Sequence, residues 1–356
     1  MNRLLLHLLQ QYPSFKISFS FSGVVLDQFI EYCPEVLSSF QQLVDTGQVE
    51  ILAETYHHSL AFLYNQDEFC EQVRLHSKKI KELFGAKPTV LRNTELIYNN
   101  DVARVAHEMG YLGVLVEGAD KVLGWRSPDF VYKPINTDIK LLLKNYRLSD
   151  DIAFRFSNKD WKEYPLDVSK YTRWINAIHG SGTNVNLFMD YETFGEHQWE
   201  DSGIFEFIRH LPGELLNHPD NTFSFPSEII QNYDPVAELD IPYLVSWADV
   251  ERDVSAWLGN DMQRSAIEKL YALEKDIKAT KNKDLINTWR KLQTSDHFYY
   301  MCTKWFNDGD VHKYFNPYDS PYDAFIYFMN IFKDLKQRLD AASNKGSKKQ
   351  SKEAVL

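Results

Sequence analysis

The sequence has few cysteines and no long apolar run. Its three cysteines, Cys33, Cys70 and Cys302, lie far apart and form no CxxC pair, so a disulfide framework or a zinc knuckle has little support. No stretch reaches the roughly 20 apolar residues that a transmembrane helix requires. His7 interrupts the apolar residues near the start, which indicates a short amphipathic helix rather than a signal peptide. We therefore expect a soluble, cytoplasmic protein.

Positive charge is also scarce. The chain has 39 Lys and Arg against 50 Asp and Glu, which gives a formal net charge of −11. A negative field repels polyphosphates and anionic lipid surfaces, so we expect neither a nucleic-acid partner nor a membrane partner. A neutral or cationic ligand fits better.

What the sequence does contain is a repeated strand-then-helix pattern. Its 356 residues, 44% of them hydrophobic, can form one large α/β domain with an accessory domain. Near-continuous apolar strands alternating with helices indicate a parallel sheet, and their number in about 230 residues favours a (β/α) barrel, with an open doubly wound sheet as the alternative. The predicted strands are the stretches FKISFSFS, VEILAETY, TVLRNTELIY, YLGVLVEG, IKLLLKNYRLS and NVNLFMDYE.

The pattern changes after about residue 236. From there the sequence has helical periodicity and abundant charge, with no strand signal. The Asp-rich stretch 308–321 lacks the spacing and the final Glu of an EF-hand loop, so we predict no calcium site there. The predicted organisation is a barrel domain at 1–235, a helical domain at 236–342 and a disordered tail at 343–356.

Polar side chains directly follow three of the predicted strands. Active sites of (β/α) barrels lie where the strands end, so these residues are the candidates for chemistry. After the second strand, Glu54 and His58 share one face because side chains alternate along a strand. Arg92 and Glu95 follow the third predicted strand, and Asp190 follows the last one.

Four stretches together carry a resemblance to a known family. They are GQVEILAETYHHSL, LRNTELIYNNDVARVAHEMGY, FMDYETFGEHQW and SWADVERDVSAWLGNDMQ. In this order and spacing, the sequence resembles glycoside hydrolase family 57, the α-amylase type. The resemblance implies an incomplete (β/α)7 barrel (TIM-like) followed by a helical domain, and retaining cleavage or transfer of α-glucans. It also implies Glu95 as nucleophile and Asp190 as general acid/base, with no cofactor and no metal.

The chemistry of these residue types agrees with that implication. Retaining glycoside hydrolysis needs two carboxyls about 5 to 5.5 Å apart, one to attack the anomeric carbon and one to exchange a proton with the leaving group and then with water. Arg92 and His58 are expected to keep Glu95 ionised, whereas an apolar setting that includes Phe188 is expected to raise the pKa of Asp190.

A wider set of residues is predicted to contact an α-glucan or maltooligosaccharide, and the sequence gives no indication of oligomeric state. For Glu54 and His58 a hydrogen-bonded pair behind the substrate-contacting residues is the alternative, and for each tryptophan a place in the core is the alternative. The predicted substrate-binding residues are Glu54, His58, Arg92, Trp125, Glu192, Trp247 and Asp249.

The sequence departs from the family in one respect. Members usually open with a strand that ends in a His-Gln-Pro motif, and no such strand precedes NRLLLHLL, so we expect an N-terminally truncated barrel. The main interpretation is a hydrolase of α-1,4-glucans. The alternatives are a 4-α-glucanotransferase of the same family, a catalytically silent glucan-binding relative, and a metal-dependent hydrolase suggested by His57 and His58, although adjacent side chains on a strand point apart.

Overall fold

The computed structural model describes residues 1–304 and 316–353. These divide into two compact units, one formed by Met1–Glu54 and Val73–Trp247 and the other by Thr55–Gln72 and Ala248–Leu356. No helix in the described part of the chain is long and apolar enough to cross a membrane. The division differs from the predicted boundary at residue 235, because a short early segment belongs to the second unit and the first unit continues to Trp247. A boundary based on composition does not detect such a segment, since its partners are distant in sequence.

The strands all lie in the first unit. One sheet pairs β1 with β2, and a five-stranded sheet has the order β3-β4-β6-β5-β7. All pairs are parallel except β5 with β6. The strands are β1 (Ile17–Phe19), β2 (Val49–Ile51), β3 (Val90–Leu91), β4 (Gly113–Glu117), β5 (Val131–Pro134), β6 (Lys140–Lys144) and β7 (Glu238–Leu239).

Helices connect and follow these strands. The first group is α1 (Asn2–Gln11), α2 (Gly23–Tyr32), α3 (Pro34–Asp45), α4 (Gln66–Phe84), α5 (Asn100–Glu108), α6 (Asp120–Leu123), α7 (Tyr146–Ala153), α8 (Val168–Asn176), α9 (Ile204–Leu216) and α10 (Pro226–Asn232). The second unit contains α11 (Ser255–Leu258), α12 (Asp261–Ala272), α13 (Glu274–Ala279), α14 (Lys283–Lys291), α15 (Ser295–Tyr299) and α16 (Pro321–Glu353).

The helix α16 reaches into the predicted tail. It includes residues 343–353, which the sequence predicts to be disordered, and residues 354–356 lie outside the described residues. Most of the Asp-rich stretch 308–321 also lies outside the described residues.

The two sheets are joined by the chain that leaves β2. Ala53 pairs with Leu91 in parallel, and the N–H of Arg92 donates to the Ala53 carbonyl at 2.8 Å. The parallel strands β1, β2, β3, β4 and β6 therefore follow one another in chain order. A doubly wound sheet reverses its order at a switch point. The observed order is the singly wound kind found in (β/α) barrels.

The last predicted strand, at 184–192, is not a strand: residues 184–189 form an extended segment without regular strand pairing, and a short 3-10 helix at Tyr191–Thr193 follows Asp190. The N–H of Asn145 donates to the Asn186 carbonyl at 2.9 Å, which places the segment beside the end of β6. Side chains alternate as predicted: Leu187 packs into a large core with β1 residues, and Phe188 packs into a second core. The strands β5 and β7 were not predicted, because two to four residues are too few to show a period.

A buried ion cluster organises the second unit. Glu68 is fully buried, and its carboxylate accepts two hydrogen bonds from Arg290, at 2.7 and 3.1 Å. Lys278 Nζ lies 2.6 Å from the same carboxylate. Glu71 contacts both cations but is half exposed. Since Glu68 begins α4 and Arg290 lies on α14, the cluster joins the early segment to the later helices.

We predict that Glu68→Gln lowers the free energy of unfolding by about 3 to 5 kcal/mol, because the buried guanidinium of Arg290 then loses its enclosed carboxylate and keeps only the half-exposed one of Glu71. The matched control is Glu71→Gln, which removes a carboxylate from the same two cations at the surface and is expected to cost about 1 kcal/mol or less. Denaturant unfolding followed by circular dichroism measures both. Equal losses in the two variants would contradict the prediction.

Candidate active site

Charged residues end five neighbouring segments of the first unit. Glu54 follows β2, Arg92 follows β3, Glu117 ends β4, Lys144 ends β6 and Asp190 follows the extended segment. In a parallel sheet these ends lie along one edge. The sequence identified Glu54, Arg92 and Asp190. It missed Glu117 and Lys144, although each closes an apolar run in GVLVE and KLLLK.

The turn that carries Glu95 is held in an unusual backbone conformation. Glu95 has φ 57° and ψ 24°, and Leu96 also has a positive φ of 50°. A side chain in this region costs about 1 to 3 kcal/mol, so the surroundings must enforce it. Asn93 does so from within the turn: its side chain accepts the Thr94 N–H at 2.9 Å and donates to the Ile97 carbonyl at 2.8 Å.

A neighbouring segment fixes the same turn from outside. The backbone of Tyr98 exchanges two hydrogen bonds of 2.9 Å with Val245, and the Trp247 N–H donates to the Glu95 carbonyl at 3.2 Å. The indole Nε1 of Trp247 donates to Glu95 Oε2 at 2.7 Å. Both the backbone and the carboxylate of Glu95 are therefore positioned by residues 245–247.

Two cations, Arg92 and Lys144, lie against the ring of Trp247, and each is paired with an acid. Arg92 Nη1 lies 3.5 Å from Glu54 Oε2, and Lys144 Nζ lies 3.2 Å from Asp150 and 3.9 Å from Glu117. All of these side chains are nearly buried. Low-dielectric surroundings strengthen each pair and make an unpaired charge costly. The end of β4 passes so close to β6 that a Cβ on Gly118 would lie 2.1 Å from the Lys144 carbonyl oxygen.

Asp190 has a different environment from Glu95. Burial raises the pKa of the Asp190 carboxyl above its ordinary value, and the charge of the Glu95 carboxylate raises it further. Arg92, His197 and Lys144 act in the opposite direction and lower the pKa of Asp190. The sequence predicted a raised pKa from apolar neighbours alone. The structure adds the charge of Glu95, which must lie close to Asp190 to exert this effect.

The other predicted substrate-binding residues fall into separate groups. Glu54 is 2% exposed and accepts a hydrogen bond from Ser20, which favours a role behind Arg92 over direct contact with a sugar. Trp125 is 90% exposed, and Glu192 is exposed on the turn after Asp190. The structure does not test either as a sugar contact, and both stay predictions.

His58 and Asp249 belong to the second unit. The His58 carbonyl accepts the Ser295 N–H at 2.9 Å, and Asp249 Oδ2 lies 3.6 Å from Lys304 Nζ. Both have a positive φ. Their proposed contact with substrate also stays a prediction. Trp257 is buried in the core of this unit.

No group of three or more His, Cys, Asp or Glu side chains suited to a metal ion occurs within residues 1–304 and 316–353. Within the described residues, Cys33, Cys70 and Cys302 form no disulfide bond and are half-buried.

Comparisons with known proteins decide the family. The family description Glycosyl hydrolase family 57 matches residues 1–242. The chain belongs to this family. Among curated relatives, a Methanocaldococcus jannaschii protein named "Putative alpha-amylase" is 46% identical over 345 residues, which cover 94% of this chain and 73% of that protein. An alpha-amylase of Pyrococcus abyssi is 25% identical over 245 residues, 67% of this chain and 36% of that protein.

Solved structures support the family 57 fold. The branching enzyme of Pyrococcus horikoshii matches with a TM-score of 0.71 at 14% identity, over 97% of this chain and 85% of that one. The 4-alpha-glucanotransferase of Thermococcus litoralis matches with a TM-score of 0.67 at 15% identity, over 83% of this chain and 51% of that one. The predicted fold class, an incomplete (β/α)7 barrel followed by helices, is confirmed.

The environment of Asp190 leads to a prediction about its titration. Glu95→Gln removes a negative charge that raises the pKa of Asp190, so the pKa of Asp190 is expected to fall. The control is Glu196→Gln, which removes an exposed carboxylate from the turn after Asp190. Carbon-13 NMR titration of labelled aspartate carboxyls measures both. An unchanged Asp190 signal in Glu95→Gln would show that the two carboxyls do not interact.

Proposed function

We propose that this family 57 chain is a retaining glycoside hydrolase of α-1,4-glucans that uses Glu95 as nucleophile and Asp190 as general acid/base. The observation that supports this most is the contrast between the two carboxyls. Glu95 accepts a charge-assisted hydrogen bond from Trp247, which favours its ionised form, whereas burial and the Glu95 charge favour protonated Asp190. Two neighbouring acids with opposed environments are typical of an acid and nucleophile pair.

The proposed reaction has two steps. In the first, Glu95 attacks the anomeric carbon, the glycosidic C–O bond breaks, and the leaving oxygen takes the proton of Asp190. In the second, water attacks the glycosyl ester, its proton passes to Asp190, and Glu95 leaves as a carboxylate. Arg92 and Lys144 balance the negative charge of the site throughout.

The substrate class is supported by the names of the relatives, which are alpha-amylases, and by the low positive charge of the chain. A sugar acceptor in place of water would make the protein a 4-α-glucanotransferase, which is the second candidate. One structural neighbour is named as such an enzyme. We also propose a cytoplasmic location, with which the lack of a disulfide bond among the cysteines of the described residues is consistent.

Incubation with maltoheptaose, followed by chromatography of the products, tests this function. Shorter oligosaccharides alone indicate hydrolysis, and a mixture of shorter and longer ones indicates transfer. Binding of maltoheptaose without any product would identify a glucan-binding protein and overturn the proposal.

For the nucleophile, we predict that Glu95→Gln lowers kcat on the order of 10³-fold or more, because an amide cannot form the glycosyl ester. Maltoheptaose binding, measured by calorimetry, is expected to stay within a few-fold because the shape is preserved. The control is Glu108→Gln on the exposed face of α5, which is expected to keep wild-type kcat. Normal turnover by Glu95→Gln would eliminate Glu95 as nucleophile.

For the acid/base, we predict that Asp190→Ala cleaves maltooligosaccharides very slowly because the leaving oxygen lacks a proton donor. An α-maltosyl fluoride needs little acid assistance, so its first step is expected to survive. Azide needs no deprotonation and is expected to restore turnover, with a glycosyl azide of retained configuration as product. Rescue by azide in Glu192→Ala but not in Asp190→Ala would assign the role to Glu192 instead.

A further inference from the structure

Trp247 presents its indole N–H to the proposed nucleophile. The sequence predicts that this side chain stacks on a sugar, but in the structure its Nε1 lies 2.7 Å from Glu95 Oε2. Hydrogen bonds to a carboxylate are shorter and stronger than those between neutral groups, and they fix the plane of the acceptor. An indole N–H has no acceptor capacity, so it can only favour the ionised carboxylate.

Two buried cations lie against the same ring. The Arg92 guanidinium carbon is 4.8 Å and Lys144 Nζ is 5.2 Å from the ring centroid of Trp247. Their side chains are 11% and 5% exposed, so water screens them little. A cation against the ring draws electron density from it and makes the N–H a stronger donor. The cations also hold the ring in place, since each is fixed by its own acids.

The backbone of Trp247 also contacts Glu95. The Trp247 N–H donates to the Glu95 carbonyl, so one residue holds both ends of the strained Glu95. The side chain of Trp247 packs with Phe188 on the apolar core under the strands, which restricts its rotation. Few alternative positions are open to the indole.

We propose that Trp247 is a positioning residue for Glu95: its N–H, strengthened by Arg92 and Lys144, fixes the carboxylate in its ionised form and in the orientation for attack. This rests on the proposed role of Glu95 as nucleophile. It assigns Trp247 a function that sugar stacking does not require, because stacking uses the ring face and not the N–H.

The test removes the indole N–H of Trp247 in two variants, of which only the second preserves the ring. In a first variant, Trp247→Phe removes the donor and part of the ring. In a second, 3-benzothienylalanine at position 247 keeps the size and the ring face and substitutes sulfur for the N–H. We expect kcat on maltoheptaose to fall about 10-fold to 100-fold in both, because a hydrogen bond to a charged group is lost. We also expect the acid limb of the kcat/KM profile to move upward by about one pH unit.

Trp289→Phe is the matched control. Trp289 also donates its indole N–H, to the Leu270 carbonyl at 2.8 Å, and has Lys278 Nζ 5.7 Å from its ring, but its acceptor is a backbone group of the second unit. This variant is expected to lose stability without moving the acid limb. A purely structural role for Trp247 would give the same result at both positions.

The outcomes separate the two proposals. Wild-type kcat and an unshifted acid limb in the benzothienylalanine variant would overturn the positioning role while leaving Glu95 as nucleophile. Weaker maltoheptaose binding in Trp247→Phe, with normal binding and an unshifted limb in the benzothienylalanine variant, would assign Trp247 to sugar stacking instead. Normal turnover by Glu95→Gln would instead remove the proposed function itself, and the positioning role with it.

Discussion

Compensation of buried charge at the ends of the parallel strands is the constraint on which the site depends. Arg92 and Lys144 are almost fully enclosed, and each lies beside a carboxylate from a neighbouring segment. An unpaired charge in such a place would cost several kcal/mol, so the acids and bases must come as a set. The parallel strands lie side by side in chain order, so the charged residues at their carboxyl ends lie along the same edge of the sheet. The packing of the strands therefore determines which charged side chains meet in the site.

Backbone strain in this site is concentrated at Glu95. The left-handed backbone of Glu95 carries a cost that Asn93 and the segment 245–247 offset through hydrogen bonds to the same turn. A flexible turn would let the carboxylate rotate among several rotamers. The fixed turn is locally less stable but holds the Glu95 carboxylate in one orientation. This is typical of residues that act on a substrate atom in a defined direction.

The sequence could predict the parts of this arrangement that are local. Strands such as 113–117 and 140–144 have continuous apolar runs, although the charged residues that end these two strands were missed. Glu54, Arg92 and Asp190 were identified from their positions after other predicted strands. The acid/base and nucleophile assignments came from the family resemblance and stay predictions. Contacts between distant residues could not be predicted: nothing in the sequence pairs Trp247 with Glu95, or Lys144 with Glu117. The short strands β5 and β7 were missed for a related reason, since their pairing depends on partners and not on a period.

The charges around Asp190 suit the change of role that the proposed reaction requires of it. While Glu95 is a carboxylate, its charge adds to burial in raising the pKa of Asp190, which favours the protonated acid needed for the first step. When Glu95 becomes a glycosyl ester, that negative charge disappears, whereas Arg92, His197 and Lys144 still lower the pKa of Asp190. The balance then moves toward the carboxylate, which is the base that the second step needs. The same cations thus favour ionised Glu95 through Trp247 before the first step, and ionised Asp190 after it.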